Sequence, residues 1–343
     1  HYIYEPLSGE YKGSSSSSLA RHAGTVYSLA LLYGHTKENR YRDGAEDALD
    51  WLVERVAPRC GAARGSCIVE GKRARLGSTA LTVIALLEYQ RRTEEVRYEE
   101  VARSLVDFLL FMQRPDGDFH HLFDLKAQGI VEEKRQMFAS EEAALALVMA
   151  DEVLDTPKDT QPLIRAAERA LDYLTGSKYD YFLGRFIYGA DHWTCIAAEA
   201  AYPRLQARRY LDFCLGYSAF VRRIQYQPGE SSPADFTGHY GFGSLMVPQA
   251  PAAAGFTEAV VSTYELSRHH EAEDPALREQ ISLALDAIAR DQVRDDNAYL
   301  MRRPAIARGG IRRSLVEQEI RIDFTQHAAS ALIRGAEIGL PGD

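Results

Sequence analysis

The stretch EEAALALVMADEVL, residues 141–154, sets the fold. After its two leading glutamates, small or apolar side chains occupy nearly every face of a 3.6-residue helix. A helix that is apolar all round is buried all round. Three other stretches share this character: TVYSLALLY (25–33), STALTVIALLEYQ (78–90) and HAASALIRGAEI (327–338). Extended by the same periodicity, buried helices are expected near 19–33, 77–91, 139–153, 190–202, 255–269 and 322–338. Between them lie charged, amphipathic segments with one wet face, namely DGAEDALDWLVERV (43–56), YEEVARSLVDFLLFMQ (98–113), PLIRAAERALDYLTG (162–176), RRYLDFCLGYSAFVRRIQ (208–225) and PALREQISLALDAIARDQ (275–292). Convincing strand alternation is hard to find. Six buried helices alternating with five amphipathic ones imply an inner ring sheathed by an outer one.

The connections sort by length. Links from a buried to an amphipathic helix are short (34–41, 92–97, 154–161, 203–208, 270–274), and the return links are long (58–76, 114–137, 177–189, 226–254, 293–321). In such a ring every long link lies at the N-termini of the buried helices. Long loops over one end of a rigid scaffold are where binding and catalysis usually sit.

This alternation, with glycine-containing returns such as Gln113-Arg114-Pro115-Asp116-Gly117-Asp118-Phe119, resembles the α/α-toroid superfamily. That group includes six-hairpin glycosidases, sugar epimerases, polysaccharide lyases and, more distantly, terpenoid cyclases and protein prenyltransferases. The resemblance implies an all-α toroid over residues 19–343 and is weakly specific for chemistry. The DxDD motif of one terpenoid cyclase class and the Asp/Cys/His zinc set of prenyltransferases are missing. The chain opens at His1, so residues 1–18 are expected to be an N-terminal extension or the remnant of a preceding segment, with Ser14–Ser18 as a linker.

Composition narrows the function. Hydrophobic residues make up 46% and charged residues 26% of 343, which excludes disorder and fits a large core. A net charge of −9 with no long basic stripe disfavours nucleic acid, whose affinity comes mainly from phosphate contacts. No apolar run reaches the roughly 18 residues of a membrane span. The five long links nevertheless carry 18 basic against 13 acidic residues, while the remainder holds 22 against 36. The basic excess is concentrated in Lys72-Arg73-Ala74-Arg75 and in Arg302, Arg303, Arg308, Arg312, Arg313 and Arg321. A positive mouth on a negative body draws in an anionic ligand.

The first turns of the expected buried helices gather polar residues: Arg21 and His22; Ser78 and Thr79; Glu141 and Glu142; Asp191, His192 and Trp193; Thr257 and Glu258; Asp323, Gln326 and His327. Capping and the helix dipole account for the Ser, Thr and acidic positions. They do not account for Arg21, His22, His192 and His327, because cations there oppose the dipole. Phe138, Tyr188, Phe256 and Phe324 sit beside these turns, either as hydrophobic staples or as platforms for sugar rings. The loop Gly238-His239-Tyr240-Gly241-Phe242-Gly243 adds mobile aromatics; it lacks the strand-before, helix-after context of a dinucleotide site.

These residues point to a carbohydrate-active enzyme acting on an acidic glycan by hydrolysis, elimination or epimerisation. Glu142 and Asp323 are the expected acid/base carboxylates, with His22, His192 and His327 as proton-transfer groups. Arg21 and Arg321 would hold an anion, and Asp191, Trp193, Glu258, Tyr188, His239 and Tyr240 would bind substrate. No HExxH-like spacing suggests a metal, and no cofactor is expected. The alternatives are a non-catalytic toroid that binds a glycan, peptide or protein, and a terpenoid or prenyl-transferase relative. A glycan substrate would favour a secreted or extracytoplasmic location. Cys60 and Cys67 bracket a short loop, either as a disulfide or as two thiols, and Cys195 and Cys214 read as core fillers.

Overall fold

The computed structural model describes residues 2–12, 18–61, 65–132, 136–154, 161–179, 191–230, 232–241 and 247–340. In chain order the helices are α1 (Leu19–Thr36), α2 (Asn39–Val53), α3 (Leu76–Thr93), α4 (Glu99–Met112), α5 (Ala139–Val153), α6 (Pro162–Thr175), α7 (Trp193–Ala201), α8 (Arg208–Arg222), α9 (Ala250–His269), α10 (Pro275–Arg290), the short α11 (Pro304–Ala307) and α12 (Ile322–Glu337). The strands are β1 (Ile3–Glu5), β2 (Glu10–Tyr11), β3 (Val56–Pro58), β4 (Ser66–Glu70), β5 (Arg73–Arg75), β6 (Leu122–Asp124), β7 (Gly129–Ile130) and β8 (Ile320–Arg321). None of the helices among the described residues is long and apolar enough to cross a membrane. The chain divides into two compact units, His22–Tyr210 and His1–Arg21 with Leu211–Asp343.

In the unit His22–Tyr210, α3 packs on α5 and α5 on α7. Every residue of α3 from Leu76 to Tyr89 and of α5 from Ala139 to Asp151 is buried, as their all-round apolar pattern requires. The amphipathic α4 and α6 back this row, α4 against α3 and α5, α6 against α5 and α7. Two long links fold into a five-stranded antiparallel sheet in the order β3-β4-β5-β6-β7. Its strands are two to five residues long, too short to display an alternating pattern in the sequence.

Cys60 and Cys67 form a disulfide across the β3–β4 hairpin, with Cα atoms 5.9 Å apart and both side chains fully buried. Closing so short a loop restricts the unfolded chain by on the order of 2 kcal/mol. The double substitution Cys60→Ser/Cys67→Ser is therefore expected to lower Tm; an unchanged Tm would mean the hairpin holds without its staple. Cys195 and Cys214 are buried as core fillers should be, but neither is a free thiol.

In the other unit, α9 packs on both α12 and α10. The Ser218 and Thr263 hydroxyls pair at 3.0 Å to join α8 to α9. Residues 2–12 form no helix. β1 pairs with β2 and with β8, and the Arg302 N–H donates to the Pro6 carbonyl at 2.9 Å. Tyr4 packs with Val293, Ala298, Met301 and Ala307, so this segment covers the last long link just before α12. Of the expected linker Ser14–Ser18, only Ser18 falls within the described residues.

Candidate functional site

In the unit His22–Tyr210, the start of α5 carries the candidate acid. Phe138, its N-cap, is held in the left-handed region at φ 70° and supplies no side-chain cap. Glu141 and Glu142 follow in the first turn and point apart. The Glu142 carboxyl turns toward α3, where a Cβ added to Gly77 would come within 2.6 Å of Oε2. A larger residue at 77 would push that carboxyl aside. Burial alone raises the Glu142 carboxyl well above its ordinary range, so it carries its proton where an exposed glutamate has lost it.

Glu141 faces the other way. Lys178, in a 3₁₀ turn over Ser177–Tyr179, pairs with Glu141 and, at 2.8 Å, with Asp191 Oδ2. The Thr194 hydroxyl donates to Asp191 Oδ1 at 3.0 Å. Asp191 and Glu141 are nearly fully buried, and Lys178 thus ties the start of α5 to the start of α7. His192 is the N-cap of α7. Its ring lies 5.6 Å from Phe138 and 5.1 Å from Trp193, and Trp193 lies 6.5 Å from Tyr27.

His22 is placed differently. It leans on α2, where Nε2 meets the Ala48 carbonyl at 3.1 Å and the ring stacks on Trp51 at 4.4 Å. The Arg55 guanidinium covers Trp51 at 3.3 Å from the ring centroid. Burial, outweighing the Ala48 carbonyl, lowers the His22 pKa.

The other unit brings together Arg21, Arg321, Asp323, His327 and Glu258. Arg321 grips Asp323 with two bonds, Nε to Oδ1 at 2.6 Å and Nη2 to Oδ2 at 2.8 Å. The Arg21 Nε adds a third to Oδ2 at 3.3 Å. One turn along α12, His327 Nδ1 meets Glu258 Oε2 of α9 at 2.7 Å. Burial disfavours the imidazolium of His327, but the charge and hydrogen bond of Glu258, with Asp323 behind them, prevail and raise its pKa. Helix α9 starts at Ala250 rather than near 255. Glu258 is therefore in its interior, not its first turn, and the capping explanation does not apply to it.

His239 and Tyr240 are not mobile loop aromatics. His239 is 1% and Tyr240 2% exposed. The Tyr240 ring packs edge-on against Phe256 at 5.3 Å, and burial pushes its hydroxyl pKa up. His239 Nε2 stands 3.4 Å from Asp291 Oδ2. Tyr188 lies outside the described residues, as do Phe242 and Gly243.

Sequence reasoning missed Lys178 and a buried triad beneath the start of α5. The Ser140 hydroxyl donates to Asp118 Oδ1 at 2.6 Å and meets His121 Nε2 at 3.0 Å. Burial works against an ionised Asp118, but the nearby His121, with the Ser140 hydroxyl and the Phe119 N–H, overcomes it and holds the carboxyl below the usual range. Asp118 was already visible in the glycine-containing return, and Ser140 immediately precedes Glu141. Nothing in the sequence signals that they meet.

No family model matches the chain, and no curated protein matches it. Solved structures do. A cellobiose 2-epimerase from Bacillus thermoamylovorans superposes with a TM-score of 0.69 at 14% identity, covering 97% of this chain and 92% of that one. An α-mannanase from Bacteroides thetaiotaomicron gives 0.64 at 12%, covering 94% and 86%. An unsaturated glucuronyl hydrolase specific for heparin gives 0.60 at 11%, covering 93% and 86%. Across nearly its whole length, then, the chain has the α/α-toroid fold that six-hairpin glycosidases share with sugar epimerases.

Proposed function

We propose that the protein is a carbohydrate-active enzyme acting on an acidic glycan by general acid–base chemistry. The observation that carries this reading is the Glu142 carboxyl, buried against Gly77 at the start of a buried helix, where desolvation raises it well above its ordinary range. Breaking or rearranging a glycosidic or sugar carbon centre requires a proton donor poised near the working pH. Desolvation moves Glu142 in the direction such a donor needs, and Gly77 gives it room.

Each unit contributes a group of residues to the reading. Beside Glu142, the unit His22–Tyr210 offers Asp191, His192 and Trp193. Asp191, fixed by Lys178 and Thr194, and the buried Trp193 beside it are this unit's candidates for substrate binding. In the other unit, His327 is a proton-transfer group whose charged form Glu258 favours. Asp323 is the second acid/base carboxylate, oriented by Arg21 and Arg321. Arginine's planar fork suits a carboxylate or sulfate, which makes these two the candidates to hold the substrate's anion. His22, engaged by α2, has a packing role.

The fold is also that of proteins named for sugar chemistry, one of them a glucuronyl hydrolase, which supports an anionic sugar. The test compares turnover of a uronate oligosaccharide with its carboxyl-reduced counterpart. Turnover of the acidic form alone is the expected result. Equal rates would remove the anionic part of the proposal, and absence of both would remove the whole.

A further inference from the structure

We propose that Asp118, His121 and Ser140 are positioning residues of the candidate site: a one-directional hydrogen-bond chain that fixes the start of α5 and with it the Glu142 carboxyl. The proposal rests on the reading of Glu142 as the acid. Helix α5 starts without a side-chain cap. Phe138 occupies the left-handed region and offers no side-chain cap, a conformation that costs an L-residue roughly 1–2 kcal/mol and persists only where the surroundings over-determine it.

The surroundings do so through His121. The Gln136 N–H donates to His121 Nδ1 at 2.6 Å, which makes Nδ1 the acceptor and puts the ring proton on Nε2. That proton is donated to Ser140 Oγ at 3.0 Å, and the Ser140 hydroxyl passes its own to Asp118 Oδ1 at 2.6 Å. All three side chains are buried. Every proton in the chain has one direction, and it ends on a carboxylate. The same residue also holds α3: the His121 carbonyl accepts from the Leu76 N–H at 3.0 Å, one residue before Gly77. His121 thus sets the start of the helix carrying Gly77 against the start of the helix carrying Glu142. With its hydroxyl proton committed to Asp118, Ser140 is a link and not a nucleophile.

Removing the Ser140 hydroxyl leaves the His121 N–H and the Asp118 carboxylate buried without each other's support, which favours entry of water. Water beside Glu142 restores an ordinary carboxyl. The experiment is an isotope-edited infrared titration of protein labelled with ¹³C-glutamate, with Glu142→Gln to assign the band. The expected result is that Ser140→Ala shifts the Glu142 titration down by about one pH unit or more, a tenfold change in proton affinity, and that Ser140→Thr, which keeps the hydroxyl, returns it. Should Ser140→Ala not fold, Asp118→Asn keeps an acceptor for the serine proton but loses the charge, and is expected to shift the titration the same way by less. A raised wild-type titration unmoved by these variants would overturn the relay alone. A wild-type Glu142 titrating in the ordinary range would overturn the acid reading beneath it as well.

Discussion

Replacing Glu142 with glutamine is expected to cut turnover by roughly a hundred- to ten-thousandfold, the span typical of losing a general acid, without lowering Tm. The two halves of this expectation come from the same observation. Glutamine has the shape of a protonated glutamic acid, and the native carboxyl is neutral because of its burial. On the reading of Glu142 as a neutral acid the variant fills the space beside Gly77 and no longer bears an acidic proton. A glutamate needed for folding as an ion would behave in the opposite way, with stability falling alongside activity. Steady-state rates and thermal unfolding of the same preparation separate the two.

The second large effect concerns stability and lies away from the proposed chemistry. His239 and Asp291 are buried together at the end of α10, and among the described residues neither makes a side-chain hydrogen bond. Burial lowers His239 to about 4, with Arg290 assisting. Burial raises Asp291 to about 7, against the pull of Arg312 and Arg290. In the unfolded chain the ordinary values are about 6.5 and 3.9. Between these limits the unfolded pair binds one proton, on the histidine, and the folded pair also binds one, on the aspartic acid. Stability from the pair is then flat with pH, because its slope follows the difference in bound protons.

Single variants should expose two opposite slopes. In Asp291→Asn only the depressed histidine remains. The unfolded state then binds the extra proton, and stability is lost as pH falls from about 6.5 toward 4. In His239→Gln only the raised carboxyl remains. The folded state binds the extra proton, and stability is lost as pH rises from about 4 toward 7, by about 4 kcal/mol across the window. Denaturant midpoints at several pH values check both. Parallel slopes in the two variants would show that the groups do not share one proton.

The sequence carried the helices well because their signal is long. The runs at 78–90 and 141–154 are apolar on every face, and the residues they span in α3 and α5 are almost all buried. The strands were not legible, because two to five residues give no period to read. Helix α9 was placed five residues late. The link read as 226–254 takes in Ala250-Pro251-Ala252-Ala253-Ala254, although a proline in the first turn is itself a helix start. Helical spacing put Asp323 and His327 one turn apart on α12, and the structure adds Arg321 and Arg21 around the first and Glu258 around the second. Which face of a helix points where is harder to read. His22 shares the first turn of α1 with Arg21 yet turns onto α2 and Trp51. Lys178 and His121 could not be found at all, since their partners Glu141 and Ser140 are 37 and 19 residues away.

The central claim, acid–base chemistry on an acidic glycan, is tested most directly by mass spectrometry of products formed from acidic oligosaccharides in heavy water. The account predicts a covalent change in the sugar. Cleavage with gain of water would identify a hydrolase, cleavage to an unsaturated end a lyase, and deuterium uptake without cleavage an epimerase. Unaltered sugars that nonetheless bind would contradict the account and favour a toroid that only holds its ligand.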